Sequence, residues 1–207
     1  MIRNIILSLF DYTGNWSRPY RENGYEVIQV DIQHGTDILT WNYKEIEKER
    51  VYGILAAVPC TDFAISGARH FARKDADGTT EQSKRLVYKT LEIIEYFSPT
   101  FWVVENPMSR IHKCCPELGK VKYKFNPCDF AGYGNTDEER DGQRYNKATW
   151  LWGEFNRPAE KPMEPLQKEC PMWKNYGGKS IKTKNARSAT PLGFAYGFYD
   201  TNHSKEV

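Results

Sequence analysis

The run Ile5-Ile6-Leu7-Ser8-Leu9-Phe10, followed directly by Asp11-Tyr12-Thr13-Gly14-Asn15-Trp16, sets the class of fold. A short apolar run bounded by a turn signal reads as a buried strand, and the glycine marks where the chain turns back. Outward from there, Ser17 to Asn23 reads as a short helix stopped by Gly24. Glu26 to Val30 is a second strand ending at Asp31. Residues 43–50, crowded with Lys and Glu, predict an exposed helix. Val51 to Val58 is a third strand, ending at Pro59-Cys60. Leu86, Val87, Thr90, Leu91, Ile94 and Phe97 recur at helical spacing and predict an amphipathic helix over roughly residues 80–98. Pro99 ends it, and Thr100 to Val104 is a further strand that stops at Glu105-Asn106-Pro107. Strands near Val121–Phe125 and Thr149–Trp152 follow, then a Pro/Lys/Gly-rich stretch over 156–190 and an aromatic segment over 191–200. Strands alternating with helices predict an α/β fold, a mostly parallel sheet flanked by helices with right-handed crossovers.

Composition narrows the classes of function. The 207 residues are 40% hydrophobic and 14% aromatic, which excludes a wholly disordered chain. Mean hydropathy is −0.70, and no 18-residue apolar run is present to cross a membrane. The N-terminus lacks a small-residue cleavage site, so a cytoplasmic protein without a secretory signal is expected. Five cysteines, Cys60, Cys114, Cys115, Cys128 and Cys170, show no regular spacing and suit free thiols better than a disulfide framework. Net charge is only +2, yet the basic excess gathers between Lys168 and Arg187. That run is either a solvated Lys-rich loop or a contact for a phosphate backbone.

The reactive residues fall where strands stop, and the carboxyl ends of strands are where open α/β sheets bind ligands. After the first strand, Phe10 to Gly14 would form a tight turn, but GxGxxG is absent, which argues against a dinucleotide pyrophosphate cradle. Asp31 stands about 20 residues beyond that turn, the place of a carboxylate that binds ribose hydroxyls; both features also have an ordinary structural reading. Cys60 follows Pro59 at the end of an apolar strand. It is either a buried structural cysteine or a nucleophile activated by electropositive surroundings. Glu105 ends the strand Phe101-Trp102-Val103-Val104, where a carboxylate needs a partner or a task. Burial there would raise its pKa and keep a proton available for a ring nitrogen; otherwise it is an ordinary ion-paired Glu. His112, Cys114, Cys115 and Cys128, with Cys170 as a fifth candidate, fit zinc spacing poorly, and no metal is expected. Trp150-Leu151-Trp152 reads most economically as core.

The segments Leu7-Ser8-Leu9-Phe10-Asp11-Tyr12-Thr13-Gly14-Asn15-Trp16, Ala56-Ala57-Val58-Pro59-Cys60-Thr61-Asp62-Phe63-Ala64-Ile65-Ser66-Gly67 and Phe101-Trp102-Val103-Val104-Glu105-Asn106-Pro107 stand in fixed order, each at a strand end. This set resembles the DNA C5-cytosine methyltransferase family, in its compact, phage-type form. The later Cys128-Asp129-Phe130 segment, the stretch from Gln143 to Phe155 and the stretch from Arg187 to Asn202 resemble its later motifs more loosely. The resemblance implies a Rossmann-like S-adenosylmethionine-dependent methyltransferase fold acting on DNA, with double-stranded DNA as partner and S-adenosyl-L-methionine as cofactor. It implies that Cys60 adds to cytosine C6, making C5 carbanion-like, while Glu105 holds the N3 and N4 edge of a flipped base. C5 then takes the methyl group, and loss of the C5 proton expels the thiol. By family position, Phe10, Gly14, Asp31, Ile32, Asp37, Ile38, Pro59 and Leu86 surround the cofactor, with Asp31 on the ribose and Asp37-Ile38 on the adenine. Ser66, Asn106, Lys147 and Thr149 are the expected substrate contacts, and Ser66 to Thr80 the mobile loop over the DNA.

Departures from the family pattern accompany the match. Gly14 is the one glycine left of a glycine-rich first motif. Thr61 and Ala64 replace a glutamine and a serine, Pro107 replaces a valine, and Lys147-Ala148-Thr149 stands where paired arginines are usual. The expected organisation is a catalytic domain over 1–154, a very small basic target-recognition insert over 155–187, and a return to the catalytic domain over 188–207. So short an insert implies a short or relaxed recognition site. Compactness suggests modification of phage DNA against restriction. The same residues leave open RNA as substrate, a group other than methyl, and a non-catalytic nucleic-acid-binding remnant. A cysteine hydrolase using Cys60 lacks a recognisable partner among His34, His70, His112 and His203.

Overall fold

The computed structural model describes residues 3–166 and 180–204. Six strands form one sheet: β1 (Ile5–Leu9), β2 (Glu26–Val30), β3 (Val51–Ala56), β4 (Phe101–Pro107), β5 (Tyr123–Phe125) and β6 (Thr149–Glu154). Their spatial order is β2-β1-β3-β4-β6-β5. The first four pair in parallel, whereas β6 runs antiparallel to both β4 and β5. This is the mostly parallel, helix-flanked sheet expected from the alternation of strands and helices in the sequence.

The helices are α1 (Arg18–Glu22), α2 (Phe71–Ala76), α3 (Thr79–Phe97), α4 (Ile111–Cys114), α5 (Asp137–Asp141), α6 (Ile181–Ser188) and α7 (Leu192–Asn202). Alternate strand residues serve opposite faces. Leu7, Ile54, Val104 and Trp152 pack with Val87, Ile93 and Phe97 of α3 on one face. Ile6, Leu55, Val103 and Leu151 pack with Trp16, Tyr20 of α1 and Phe194 and Phe198 of α7 on the other. Strands covered on both faces are apolar throughout, so they were readable as runs.

Two expectations are corrected. Residues 43–50 are not a helix but two 3-10 turns, Tyr43–Glu45 and Lys48–Arg50, separated by extended Ile46 and Glu47. Burial of Tyr43 in the core and packing of Ile46 against it hold the chain in this broken path. Residues 66–80, expected as a loop, are largely helical: a 3-10 turn over Ile65–His70, then α2, then the start of α3. Tertiary ion pairs described below hold them in place. Cys170 and the Lys168 to Lys179 part of the basic run lie outside the described residues. No described helix is long and apolar enough to cross a membrane.

Candidate active site

Strand register brings the expected residues to one edge. Leu9 pairs with Val30 and with Ala56, and Ala56 pairs with Val104, so the parallel pairing of all four strands ends at one level, beyond which β4 continues against β6 alone. The residues just past that level are Phe10, Asp31, Ala57 and Glu105.

The turn after β1 is built around buried Asp11. Its carboxylate accepts hydrogen bonds from Ser8, Thr13 and Ser17 hydroxyls and from the Ser17 amide. Phe10 (φ 60°) and Gly14 (φ 69°) take the left-handed conformations that close the turn. Beside it, Asp31 caps the 3-10 turn Ile32–His34 through the Gln33 amide at 2.8 Å. That is the one side-chain hydrogen bond of Asp31 among the described residues, although the residue is only 8% exposed. Ile32, by contrast, is 68% exposed at the same lip. Asp37 accepts from the Leu39 amide, Ile38 is buried, and Leu86 of α3 lies half-buried against the same core. Pro59 is exposed at the next exit.

Cys60 sits in a turn in which its carbonyl accepts from the Phe63 and Ala64 amides. The neighbouring segments are stitched together. Ile65 N donates to Met108 O, Arg110 N to Phe63 O and Met108 N to Ala148 O, so the chain after Cys60, after Glu105 and after Lys147 forms one frame. Two polar clusters that sequence reading missed reinforce it. Asp62 accepts from Lys74 Nζ at 2.6 Å and from Ser83, with both members of the ion pair largely buried. Arg110 donates two 2.7 Å bonds to Asp75 and stacks 3.6 Å from the Phe71 ring centroid. Neither has a local signal, because the partners are 12 and 35 residues apart.

Glu105, Lys147, Thr149 and Phe125 line a narrow cleft with Ser188 to Pro191 and Phe194. Burial raises the Cys60 pKa, and the Glu105 charge raises it further, while Lys147 and Arg187 oppose the shift. Burial likewise raises Glu105 above the usual carboxylate range, against the pull of Lys147. Cys60, Glu105 and Lys147 therefore share one electrostatic environment, which Arg187 of α6 also reaches. Lys147 Nζ donates to the Arg187 carbonyl at 3.1 Å, and Gln33 and Asn185 exchange two side-chain amide bonds. Helix α6 thus bridges the turn after β2 and the cleft, a placement with no signal in the sequence.

The remaining expected contacts differ in position. Ser66 is exposed on the 3-10 turn after Cys60. The Thr149 hydroxyl donates to its own segment at Lys147 O. Asn106 is fully buried: its Nδ2 donates to Val58 O at 2.8 Å, and its Oδ1 has no partner. It lies under the Pro59-Cys60 turn rather than in the cleft. Among the described residues no three His, Cys, Asp or Glu side chains converge to hold a metal ion.

A family model for C-5 cytosine-specific DNA methylase matches residues 6–136, which include Cys60 and Glu105 but not Lys147. A curated relative from Frog virus 3 (isolate Goorha), "Probable DNA (cytosine-5)-methyltransferase", is 25% identical over 169 residues, covering 71% of this chain and 69% of that protein.

Proposed function

Because the chain belongs to the C-5 cytosine-specific DNA methylases, we propose that Cys60 and Glu105 carry out methylation of a flipped-out cytosine in duplex DNA, with S-adenosyl-L-methionine as donor. The observation that carries this reading is the proximity of two groups, Cys60 just beyond β3 and Glu105 on the adjacent β4: the Glu105 charge bears on the Cys60 thiol, and burial pushes the pKa of both upward.

The residues at the carboxyl edge fit the cofactor. Asp31 keeps a buried carboxylate with one hydrogen bond made, suited to ribose hydroxyls, and Ile32 offers an exposed apolar surface for a flat ring. Phe10, Gly14, Asp37, Ile38, Pro59 and Leu86 would complete the lining. When bound, S-adenosylmethionine supplies an electrophilic methyl group.

The protein's own part follows from charge. Ionising both Cys60 and Glu105 would place two negative charges within electrostatic reach of each other, so their protons are coupled. The reactive form has Glu105 protonated and Cys60 as thiolate, with Lys147 and Arg187 favouring the anion. The thiolate forms the S–C6 bond as the C5=C6 π electrons move away, and Glu105 donates its proton toward N3 of the ring. C5 becomes nucleophilic and is alkylated. Loss of the C5 proton to a base then restores the C5=C6 bond and expels the thiolate. Asn106, buried beneath the turn, would position Cys60 through Val58 O rather than touch the base. Ser66, Lys147 and Thr149 would line the DNA side, and the short segment 155–187 supports a short or relaxed recognition site.

Tritiated methyl transfer from S-adenosylmethionine to duplex DNA tests the reading. Activity is expected for the wild type and none for Cys60→Ala. Duplexes carrying 5-fluorocytosine should trap a covalent adduct only when Cys60 is present. Methyl transfer that survives Cys60→Ala would sink the mechanism.

A further inference from the structure

The turn that carries Cys60 is held from outside itself. The carbonyls of Thr61, Asp62 and Phe63 follow Cys60 directly, and each is taken by a residue remote in sequence. Lys74 Nζ donates to Thr61 O at 2.7 Å. Arg110 donates to the other two, from Nε to Asp62 O at 3.2 Å and from its amide to Phe63 O at 2.9 Å. Main-chain acceptors in an enclosed turn need partners, and here two of the three come from cations.

The two cations are themselves fixed. Asp62, only 4% exposed, accepts from Lys74 at 2.6 Å and from the Ser83 hydroxyl of α3. Asp75 accepts the bidentate pair from Arg110 and a 2.6 Å bond from Thr80. Phe71, under the Arg110 guanidinium, stands on α2 with Lys74 and Asp75. This one helix therefore holds the turn after Cys60 through Lys74 and the segment after Glu105 through Asp75. Arg18 and Arg73, by contrast, each pair with a carboxylate four residues along the chain.

We propose that Lys74 and Arg110 are positioning residues, which aim the Cys60 thiol at C6 of the target base by fixing the three carbonyls that follow it. The proposal rests on the methyltransferase reading and deepens it, because attack on a ring carbon needs the sulfur at one distance and one angle. A phosphate contact is one competing role. It needs charges free to meet an anion, whereas the Lys74 and Arg110 side chains are 12% and 15% exposed and each already faces a carboxylate. Simple stabilisation is the other. It requires the two ion pairs but not the bonds to Thr61 O and Asp62 O. The charges that bear on the Cys60 thiol are Glu105, Lys147 and Arg187, so substitution of Lys74 or Arg110 should not move its alkylation midpoint.

Two reactions of one thiol separate aim from access. Iodoacetamide reaches Cys60 from any open direction, whereas a 5-fluorocytosine duplex forms its adduct only when sulfur and C6 are aligned. Lys74→Met and Arg110→Lys are compared with wild type, the second as the variant that keeps a cation and folds. In both, the adduct rate should fall about 10- to 100-fold. Alkylation should stay within about threefold, and KM for duplex within about twofold. Lys74→Met combined with Asp62→Asn removes both charges of the enclosed pair. It should recover much of the urea midpoint lost by Lys74→Met but not the adduct rate, since Thr61 O still lacks its donor. Arg50→Gln breaks the pair with Glu26 at the opposite end of the strands and should keep the wild-type adduct rate. Adduct rates within about twofold of wild type in both single variants would overturn the proposal, as would adduct and alkylation rates that fall in step. Recovery of the adduct rate together with the midpoint in the double variant would reduce Lys74 to stability alone. A raised KM for duplex with an unchanged adduct rate would make the cations phosphate contacts instead. Wild type that forms no adduct would defeat the methyltransferase reading, and the positioning role with it.

Discussion

At the scale of single residues, Cys60 and Glu105 are two acids with one comfortable negative charge between them. Burial raises Cys60, and the Glu105 carboxylate raises it again; Lys147 and Arg187 pull it back. Alkylation of a thiol follows its thiolate fraction, so iodoacetamide reactivity should rise with pH through a midpoint above that of an ordinary cysteine. Glu105→Gln removes a charge that opposes the thiolate, and the midpoint should move to lower pH. The same variant loses the proton donor, so methyl transfer should fall roughly 100-fold or more. Lys147→Met acts in the opposite sense on titration. Without its cation both Cys60 and Glu105 shift further upward, and the rising limb of both alkylation and methyl transfer should move to higher pH. A Glu105→Gln profile displaced upward, or a Lys147→Met profile left in place, would contradict the shared environment drawn for the three groups.

At the scale of elements, β4 and β6 are joined unusually closely at Gly153, which pairs with Val103. Its φ is +135°, and a Cβ there would lie 2.1 Å from the Trp102 carbonyl oxygen. Gly153→Ala therefore combines backbone strain with a clash against main chain that cannot step aside. A loss on the order of 3 kcal/mol is expected, measured as a lower urea midpoint. Because Glu105 and Lys147 belong to this strand pair and its entry, the same variant should lose methyl transfer as well. The strands themselves were legible: β1, β3 and β4 are apolar on both faces, and α3 shows its period in Val87, Thr90, Ile94 and Phe97. So were Cys60 and Glu105, because each follows such a run. The order of residues 66–80 was not legible, since Lys74 and Asp75 find their partners at Asp62 and Arg110 only after folding. Helix α6 was hidden for the same reason, its amide link to Gln33 spanning 152 positions. Asn106 was legible as a residue beside the site, but its direction, inward under the turn, depends on the neighbouring strand.

At the scale of the whole molecule, the sheet divides two hydrophobic clusters, and the cluster under α1 is closed by a helix from the far end of the described chain. Helix α7 brings Phe194 and Phe198 beneath Trp16, Phe101 and Phe125. Phe194 stacks on Phe125 with centroids 4.0 Å apart, meets Phe130 edge-on at 5.3 Å, and is fully buried. It also forms part of the wall of the cleft beside Glu105 and Lys147. Stability and site geometry therefore meet in one side chain. Phe194→Ala should cost about 3–5 kcal/mol, the range for deleting a fully buried aromatic ring, read from equilibrium denaturation. Phe194→Leu refills most of the volume and should cost clearly less. If α7 were only an appended helix, both variants would lie within about 1 kcal/mol of wild type and leave methyl transfer untouched. If it is the second wall of the catalytic body, Phe194→Leu should fold yet still impair methyl transfer, because the ring that backs Phe125 at the cleft is gone.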